Sequence, residues 1–444
     1  MDFEMAKKAG FSDAECYFQK GKSFDVRIFK GEVAQYKNAY SQGLCFRGTY
    51  GGNMGYASTE KTDDDVLNFL IKSARENAEN IEEEEQERLY PGDTHYPSDP
   101  NSYNHALDAV SVSEKIAMAK ELEKVAYSLD KRVVSVDYCI LGNGSGELNL
   151  SNSLGLNLAH KKNIAYAYVN ARVEEAGMVK TAGETWYGKH FDQFSPEELA
   201  RAAVEKAVSY LNAKRIKTGC YPVVINNRMA IQLFSVYVGN FFAEKVQKGF
   251  SLLKGRLGES IASTSVTLRD DGICERSMGS TSFDSEGVAT QNKVLIENGR
   301  LLQYLHNTKS AAKDNVRPTG NGFKAGFSGT IGTAATNFYV MPSLSTSQQL
   351  LEEMQTGVLI TELTGLHAGT NPISGEFSLS ASGFWVEGGQ LRHALEQMTM
   401  AGNFYTLLKQ IDMVGNDLYF DMPTSGGTIG MPSMLVRDLD FSGV

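Results

Sequence analysis

The sequence predicts an α+β protein of two domains, with mixed or antiparallel sheets packed by helices and a strand-rich C-terminal half. Strand and helix patterns do not alternate strictly, as a doubly wound parallel sheet would require. The 444 residues suggest two or three domains at about 150 residues each. Apolar residues make up 42% of the chain, enough to fill sizeable cores.

Residues 11–60 read as short strands joined by Gly-rich turns. Phe24, Val26 and Ile28 alternate with Asp25, Arg27 and Phe29, while Gly21, Gly31, Gly43, Gly51 and Gly52 punctuate the run. A helix is predicted from Thr62, with Asp63, Asp64 and Asp65 at the positive end of its dipole. Leu67, Leu70, Ile71, Ala74, Ala78 and Ile81 then recur at helical spacing, and Glu82–Glu85 reads as a solvated end. Prolines 91, 97 and 100 place a loop over residues 90–110. Ser111-x-x-Glu114 is a capping box that opens a helix to about Ser128. Strand patterns return over 133–187. Ser195 as cap, Pro196 at the first helical position and Glu198 two residues on start another helix, ending near Asn212.

The polar, basic segment Ala213–Tyr221 places the domain boundary at about 217, giving domains 1–216 and 217–444. The second half opens with a strand at Pro222–Ile225 and a long helix from Asn227 to Lys248, stopped by Gly249. Strands follow at Ser265–Leu268 and in a hairpin, 293–297 with 301–305, turning at Asn298-Gly299. A short helix over Gln348–Gln355 leads into a strand at Val358–Leu363, and a second hairpin turns at Gly388-Gly389. A helix near Phe404–Ile411 and a strand near Ser433–Asp438 close the chain.

Charge excludes some functions. Lys and Arg total 43 against 53 Asp and Glu, a net −10 that repels phosphate backbones, so direct nucleic-acid binding is not expected. Cysteines 16, 45, 139, 220 and 274 are odd in number, scattered and without CxxC spacing, which fits a reducing compartment rather than a disulfide framework. The opening MDFEMAKKAG has no apolar core of a signal peptide. The apolar stretch Met229–Ala243 is broken by Gln232, Ser235 and Asn240, so no membrane span is expected. The expected location is the cytoplasm.

Short catalytic patterns do not hold together. A P-loop ending at Gly21-Lys22-Ser23 would need glycine at 16, where Cys16 stands. Ser251-Leu252-Leu253-Lys254 matches SxxK, but Lys217-Thr218-Gly219 precedes it instead of following. No two of the seven histidines lie within six residues, unlike the paired ligands usual in zinc sites, and a site from His306, His367 and His393 is disfavoured. Asp270-Asp271-Gly272 reads as a turn between strands.

Several blocks do resemble a known family. They are Glu244–Gly249, Gly255-Arg256-Leu257-Gly258-Glu259, Arg269–Gly272, Ser282-Phe283-Asp284-Ser285-Glu286-Gly287, Pro318-Thr319-Gly320-Asn321, Gly365–Ser378 and Gly383-Phe384-Trp385-Val386-Glu387. Together and in this order they resemble the TldD/PmbA family, once described as modulators of DNA gyrase. The resemblance implies a heterodimeric cytoplasmic metalloprotease acting on unfolded peptides. Its TldD branch carries a zinc-binding HExxxH helix and a later cysteine; its TldE/PmbA branch lacks them. Here Ser235-Val236-Tyr237-Val238-Gly239-Asn240 occupies the motif's place, with Ser235 and Asn240 for the histidines and Val236 for the glutamate. No cysteine follows Cys274.

The chain therefore resembles the TldE/PmbA branch. That implies no cofactor of its own, zinc in a TldD-type partner, and a C-terminal domain that helps form the peptidase chamber. The alternative is a non-enzymatic modulator, for example of DNA gyrase. Pairing of the chain with itself is also compatible. The Gly365–Ser378 loop suggests peptide binding by main-chain hydrogen bonds, with His367, Gly369, Asn371, Ser374 and Gly375 as candidate contacts. Asp284 and Glu286 would meet peptide amines or, more simply, cap a turn.

Overall fold

The computed structural model describes residues 3–63, 65–80, 87–99, 103–424 and 427–443. It is α+β, with 43% strand against 24% helix. Two compact units divide it: residues 1–92, 100–211 and 326–330 form the first, and residues 93–99, 212–325 and 331–444 the second.

The first unit is a six-stranded antiparallel sheet. Its strands are β1 (Asp13–Phe29), β2 (Glu32–Tyr50), β3 (Asn53–Thr59), β4 (Val133–Asn152), β5 (Asn157–Glu175) and β6 (Met178–Gly188), in the order β3-β2-β1-β4-β5-β6. The expected short strands are instead two long ones, joined at Lys30-Gly31, where both residues have positive φ. Gly21 and Gly43 lie inside strands. At Gly43 a Cβ would stand 2.2 Å from the Phe327 ring, so this glycine admits a packed ring and marks no turn.

Phe24, Val26 and Ile28 are buried, as their alternation predicts. The Val112–Leu129 helix packs on that face, and both hydrogen bonds of the Ser111/Glu114 capping box form. Ser195 caps the Pro196–Ser209 helix by accepting from the Glu198 N–H. The helix expected from Thr62 runs over Val66–Glu79, with Asp65 at its N-cap and no acid in its first turn. Asp63 lies before it, because its carbonyl accepts from the Val66 N–H in a preceding turn. Asp64, Ile81, Glu82–Glu85 and Pro100 lie outside the described residues. A short helix, His105–Ala109, interrupts the predicted loop, capped by the Asn104 side chain.

The second unit holds two six-stranded sheets and a small two-stranded one. In one sheet the order is Gln390–Asn403, Glu376–Glu387, Gly357–Thr364, Gly219–Ile225, Met434–Ser442 and Ile411–Val414. Thr399–Ala401 also pair with Asp440–Ser442, so this sheet closes on itself. The hairpin at Gly388-Gly389 forms with positive φ at both glycines. The other sheet runs Arg300–Leu301, Asn292–Glu297, Leu268–Asp271, Asn337–Val340, Thr428–Met431 and Tyr419–Phe420.

Two departures share one cause. The long helix expected over Asn227–Lys248 ends at Tyr237, continues as a 3-10 turn over Val238–Phe241 and resumes over Ala243–Gln247. The second strand of the 293–305 hairpin stops at Leu301. Leu305 donates its N–H to the Phe241 carbonyl at 2.9 Å and accepts from the Ala243 N–H at 2.8 Å. Backbone pairing between these two segments draws one out of its helix and the other out of its hairpin.

Candidate functional site

The helix Asn227–Tyr237 is capped by Asn226, whose side chain accepts from the Met229 N–H. Met229, Ala230, Ile231, Leu233, Phe234 and Tyr237 bury one flank in the main core of this unit. Tyr237 stacks on Phe404 with ring centroids 4.3 Å apart, and Phe234 meets the same ring edge-on.

The three residues that the resemblance sets against HExxxH each have a local role. Ser235 is exposed, and its hydroxyl donates to the Gln232 carbonyl at 2.7 Å. Val236 packs against the core. Asn240 is buried, its carbonyl accepts from the Ser251 hydroxyl at 2.8 Å, and its side-chain Nδ2 has no hydrogen-bond partner among the described residues. A hydroxyl tied to its own helix, an alkyl side chain and an amide do not fit a zinc ion or its base. Among the described residues no three His, Cys, Asp or Glu stand together as a metal site would need.

The structure joins this helix to the Gly-rich loop. Tyr237 donates its hydroxyl to the Glu376 carbonyl at 3.0 Å, and Phe404 donates its N–H to the Gly375 carbonyl at 2.7 Å. Burial pushes the Tyr237 hydroxyl well above its usual pKa, which keeps it a donor. Sequence reasoning missed both aromatics. The one available signal was a hydroxyl-bearing ring on an otherwise apolar stripe.

Within the loop, most of the main chain that was expected to meet peptide is occupied internally. Gly369 donates to the Gly365 carbonyl and accepts from the Ser378 N–H, while Asn371 N–H bonds the Glu376 carbonyl. Asn371 Oδ1 accepts from the N–H groups of Ile373 and Ser374, so this side chain shapes the turn. Gly375 takes a φ of +83°, and a Cβ there would stand 2.6 Å from the Tyr405 ring. His367 and Ile373 are exposed, as are Ala368, Asn371, Pro372, Glu376 and Ser378.

Asp284 and Glu286 lie elsewhere and are fully committed. Asp284 Oδ1 accepts from the N–H groups of Glu286 and Val288, and Oδ2 accepts from the Gly322 N–H at 2.8 Å. Burial, then the Glu286 charge, raise the Asp284 pKa well above the usual carboxylate range. Glu286 accepts from both the N–H and the hydroxyl of Thr308. Asp284 thus caps its own turn, and Glu286 meets the first residue of the Thr308–Asp314 helix.

Other sequence blocks meet in a buried ion pair. Lys293 Nζ lies 3.0 Å from Asp270 Oδ2 and donates to the Thr319 carbonyl. Asn321 Nδ2 donates to the same carboxylate oxygen at 2.9 Å, and the Thr336 N–H to the other at 2.7 Å. The Asp270 and Thr319–Asn321 blocks thus serve the core. Ser251, the first residue of the SxxK pattern, is buried and receives the Leu253 N–H.

Comparison with known proteins places this architecture. A family model described as the PmbA/TldA metallopeptidase C-terminal domain matches residues 218–443, a central-domain model 105–211 and a domain 1 model 14–78. The chain belongs to the PmbA/TldD metallopeptidase family. It is 27% identical over 441 residues to the metalloprotease PmbA homolog of Haemophilus influenzae, covering 98% of this chain and 94% of that protein. Against metalloprotease PmbA of Escherichia coli O157:H7 it is 28% identical over 328 residues, covering 74% and 70%. A crystal structure from Thermotoga maritima, described as a candidate modulator of a DNA gyrase, superposes with a TM-score of 0.90 at 33% identity, covering 99% and 98%. TldE from Thermococcus kodakarensis shares the fold with a TM-score of 0.91 at 23% identity, covering 99% of each chain. No helix among the described residues is long and apolar enough to cross a membrane.

Proposed function

We propose that this chain is the metal-free subunit of a two-subunit cytoplasmic peptidase that acts on unfolded peptides. The observation that carries the reading is the fate of three positions: Ser235 bonds its own helix, Val236 packs against the core, and Asn240, in the 3-10 turn that follows, is a buried amide. A partner with the HExxxH helix holds zinc and the base, and this chain lines part of the cavity. The Gly365–Ser378 loop, anchored through Tyr237 and Phe404, presents His367 and Ile373 to the peptide.

The test is reconstitution with an HExxxH-bearing relative from the same genome. The mixture should cleave an unfolded peptide and lose that activity to a chelator, while neither chain alone should match it. Cleavage by this chain alone contradicts the reading. The modulator alternative predicts no peptide cleavage with any such relative, and an effect on supercoiling activity instead.

A further inference from the structure

We propose that a cavity on the sheet of the first unit binds a mononucleotide, its phosphate held between Lys22 and Lys161 and its base against the Tyr40 ring. Strand register sets two adjacent rows on one face of this sheet, Gln42–Lys20–Glu147–Lys161 and Tyr40–Lys22–Ser145–Asn163. Phe24 comes next on the same face, and the Val112–Leu129 helix begins there, with Lys115 Nζ 4.9 Å from the Phe24 ring centre. From there the helix runs toward the β1–β2 turn, where Glu123 accepts from the Lys30 and Gly31 N–H groups. It therefore leaves the two polar rows uncovered. Residues 103–108 stand over them instead. Buried Asn163 fixes that wall: its Oδ1 accepts from the Asn104 N–H at 2.9 Å, and its Nδ2 donates to the Asn104 carbonyl at 2.7 Å. Between wall and sheet lies a cavity of about 530 Å³, onto which Lys20, Lys22, Tyr40, Tyr103, Glu147 and Lys161 face. That is the size of a small-molecule site and too small for a polymer.

The charges around this cavity do not cancel. Glu147 is spent on Lys20, whose Nζ lies 3.1 Å away. Asp108 accepts from the Tyr103 hydroxyl, and its charge also acts on Lys115. Lys22 and Lys161 are left, and among the described residues neither forms an ion pair. Each ammonium rests on a ring instead: Lys161 lies 3.8 Å from the centre of the Tyr103 ring, and Lys22 5.4 Å from that of Tyr40. In a chain of net charge −10, acids to pair with them are plentiful, yet both lysines face a cavity.

The ligand follows from this chemistry. Two strand spacings separate β1 from β5, roughly 10 Å at the backbone, so two long side chains can close on one group from opposite sides. A single carboxylate suits one ammonium. A phosphate monoester, with a charge of about −1.5 to −2 and three acceptor oxygens, suits two, and the Ser145 hydroxyl lies between them in the row. Tyr40 is 71% exposed, so its ring offers a face for a base to stack on. This site is independent of the peptide reading.

The experiment is titration calorimetry on the full chain with adenosine monophosphate, uridine monophosphate, adenosine, inorganic phosphate and an acidic tripeptide. At least one nucleotide should bind with a Kd of about 100 µM or tighter, and phosphate and adenosine at least about tenfold more weakly. Lys22→Gln and Lys161→Gln should each raise the nucleotide Kd at least about fivefold. Tyr40→Ala should weaken the nucleotide and leave phosphate as it was. All three side chains are exposed, so the variants should melt with the wild type. No heat from either nucleotide up to about 1 mM, or binding indifferent to both lysine variants, overturns the proposal. So does phosphate, adenosine or the acidic tripeptide bound as tightly as the nucleotide.

Discussion

Arg47 Nε lies 2.6 Å from Glu15 Oε1, with both side chains almost wholly buried. The pair belongs to a row across four strands, Tyr56–Arg47–Glu15–Asn152, set by strand register. The row's ends hold the chain that follows the first long helix: Tyr56 donates to Glu87, and Asn152 Nδ2 donates to the Tyr90 carbonyl at 2.8 Å. Removing one charge strands the other in a dry site. Arg47→Met should cost about 3–5 kcal/mol in urea unfolding, and adding Glu15→Leu should recover a large part of that. Equal losses in the single and double variants would count against it.

Gly299 illustrates a turn that only glycine fits. Its φ is +83°, and a Cβ would stand 2.3 Å from the Ala262 carbonyl oxygen. Gly299→Ala should lower stability by more than about 1 kcal/mol. Gly326→Ala, with nothing within 4 Å of its added Cβ and no positive φ, should be close to neutral. Thermal melts of the two variants decide this.

His306 is buried, and burial lowers its pKa. The unfolded chain then binds a proton that the folded chain refuses once the pH falls below about 6.5, the ordinary histidine value. Stability from this group is therefore present above that pH and lost below it. His306→Gln should flatten the decline in melting temperature between pH 6.5 and 5, and an unchanged slope would contradict the assignment.

Asp284 caps three backbone N–H groups, so Asp284→Ala should destabilise by at least about 2 kcal/mol. Its effect on the reconstituted peptidase should follow folded fraction only. His367→Ala should leave the melting temperature unchanged and raise KM for peptide. An unchanged KM would remove His367 from the cavity.

What the sequence revealed was mostly local. The Ser111/Glu114 box, the Ser195-Pro196 start and the Asn298-Gly299 and Gly388-Gly389 turns need only neighbouring residues, and all form. The length of β1 and β2 was hidden because Gly21 and Gly43 look like turns until Phe327 is seen over Gly43. The break after Tyr237 was hidden because Leu305, far along the chain, supplies the competing hydrogen bonds. At the candidate site, setting Ser235, Val236 and Asn240 against the HExxxH positions came from the resemblance and not from spacing. The anchoring of the loop by Tyr237 and Phe404 was not legible, since it depends on the sheet that brings them together.

The most direct test of the central claim is the metal content of this chain purified alone and dialysed without chelator. Zinc near zero per chain is the predicted result, with zinc appearing in stoichiometric amount only when an HExxxH relative is bound. Close to one zinc per isolated chain would contradict the account, because Ser235, Val236 and Asn240 could not be holding it.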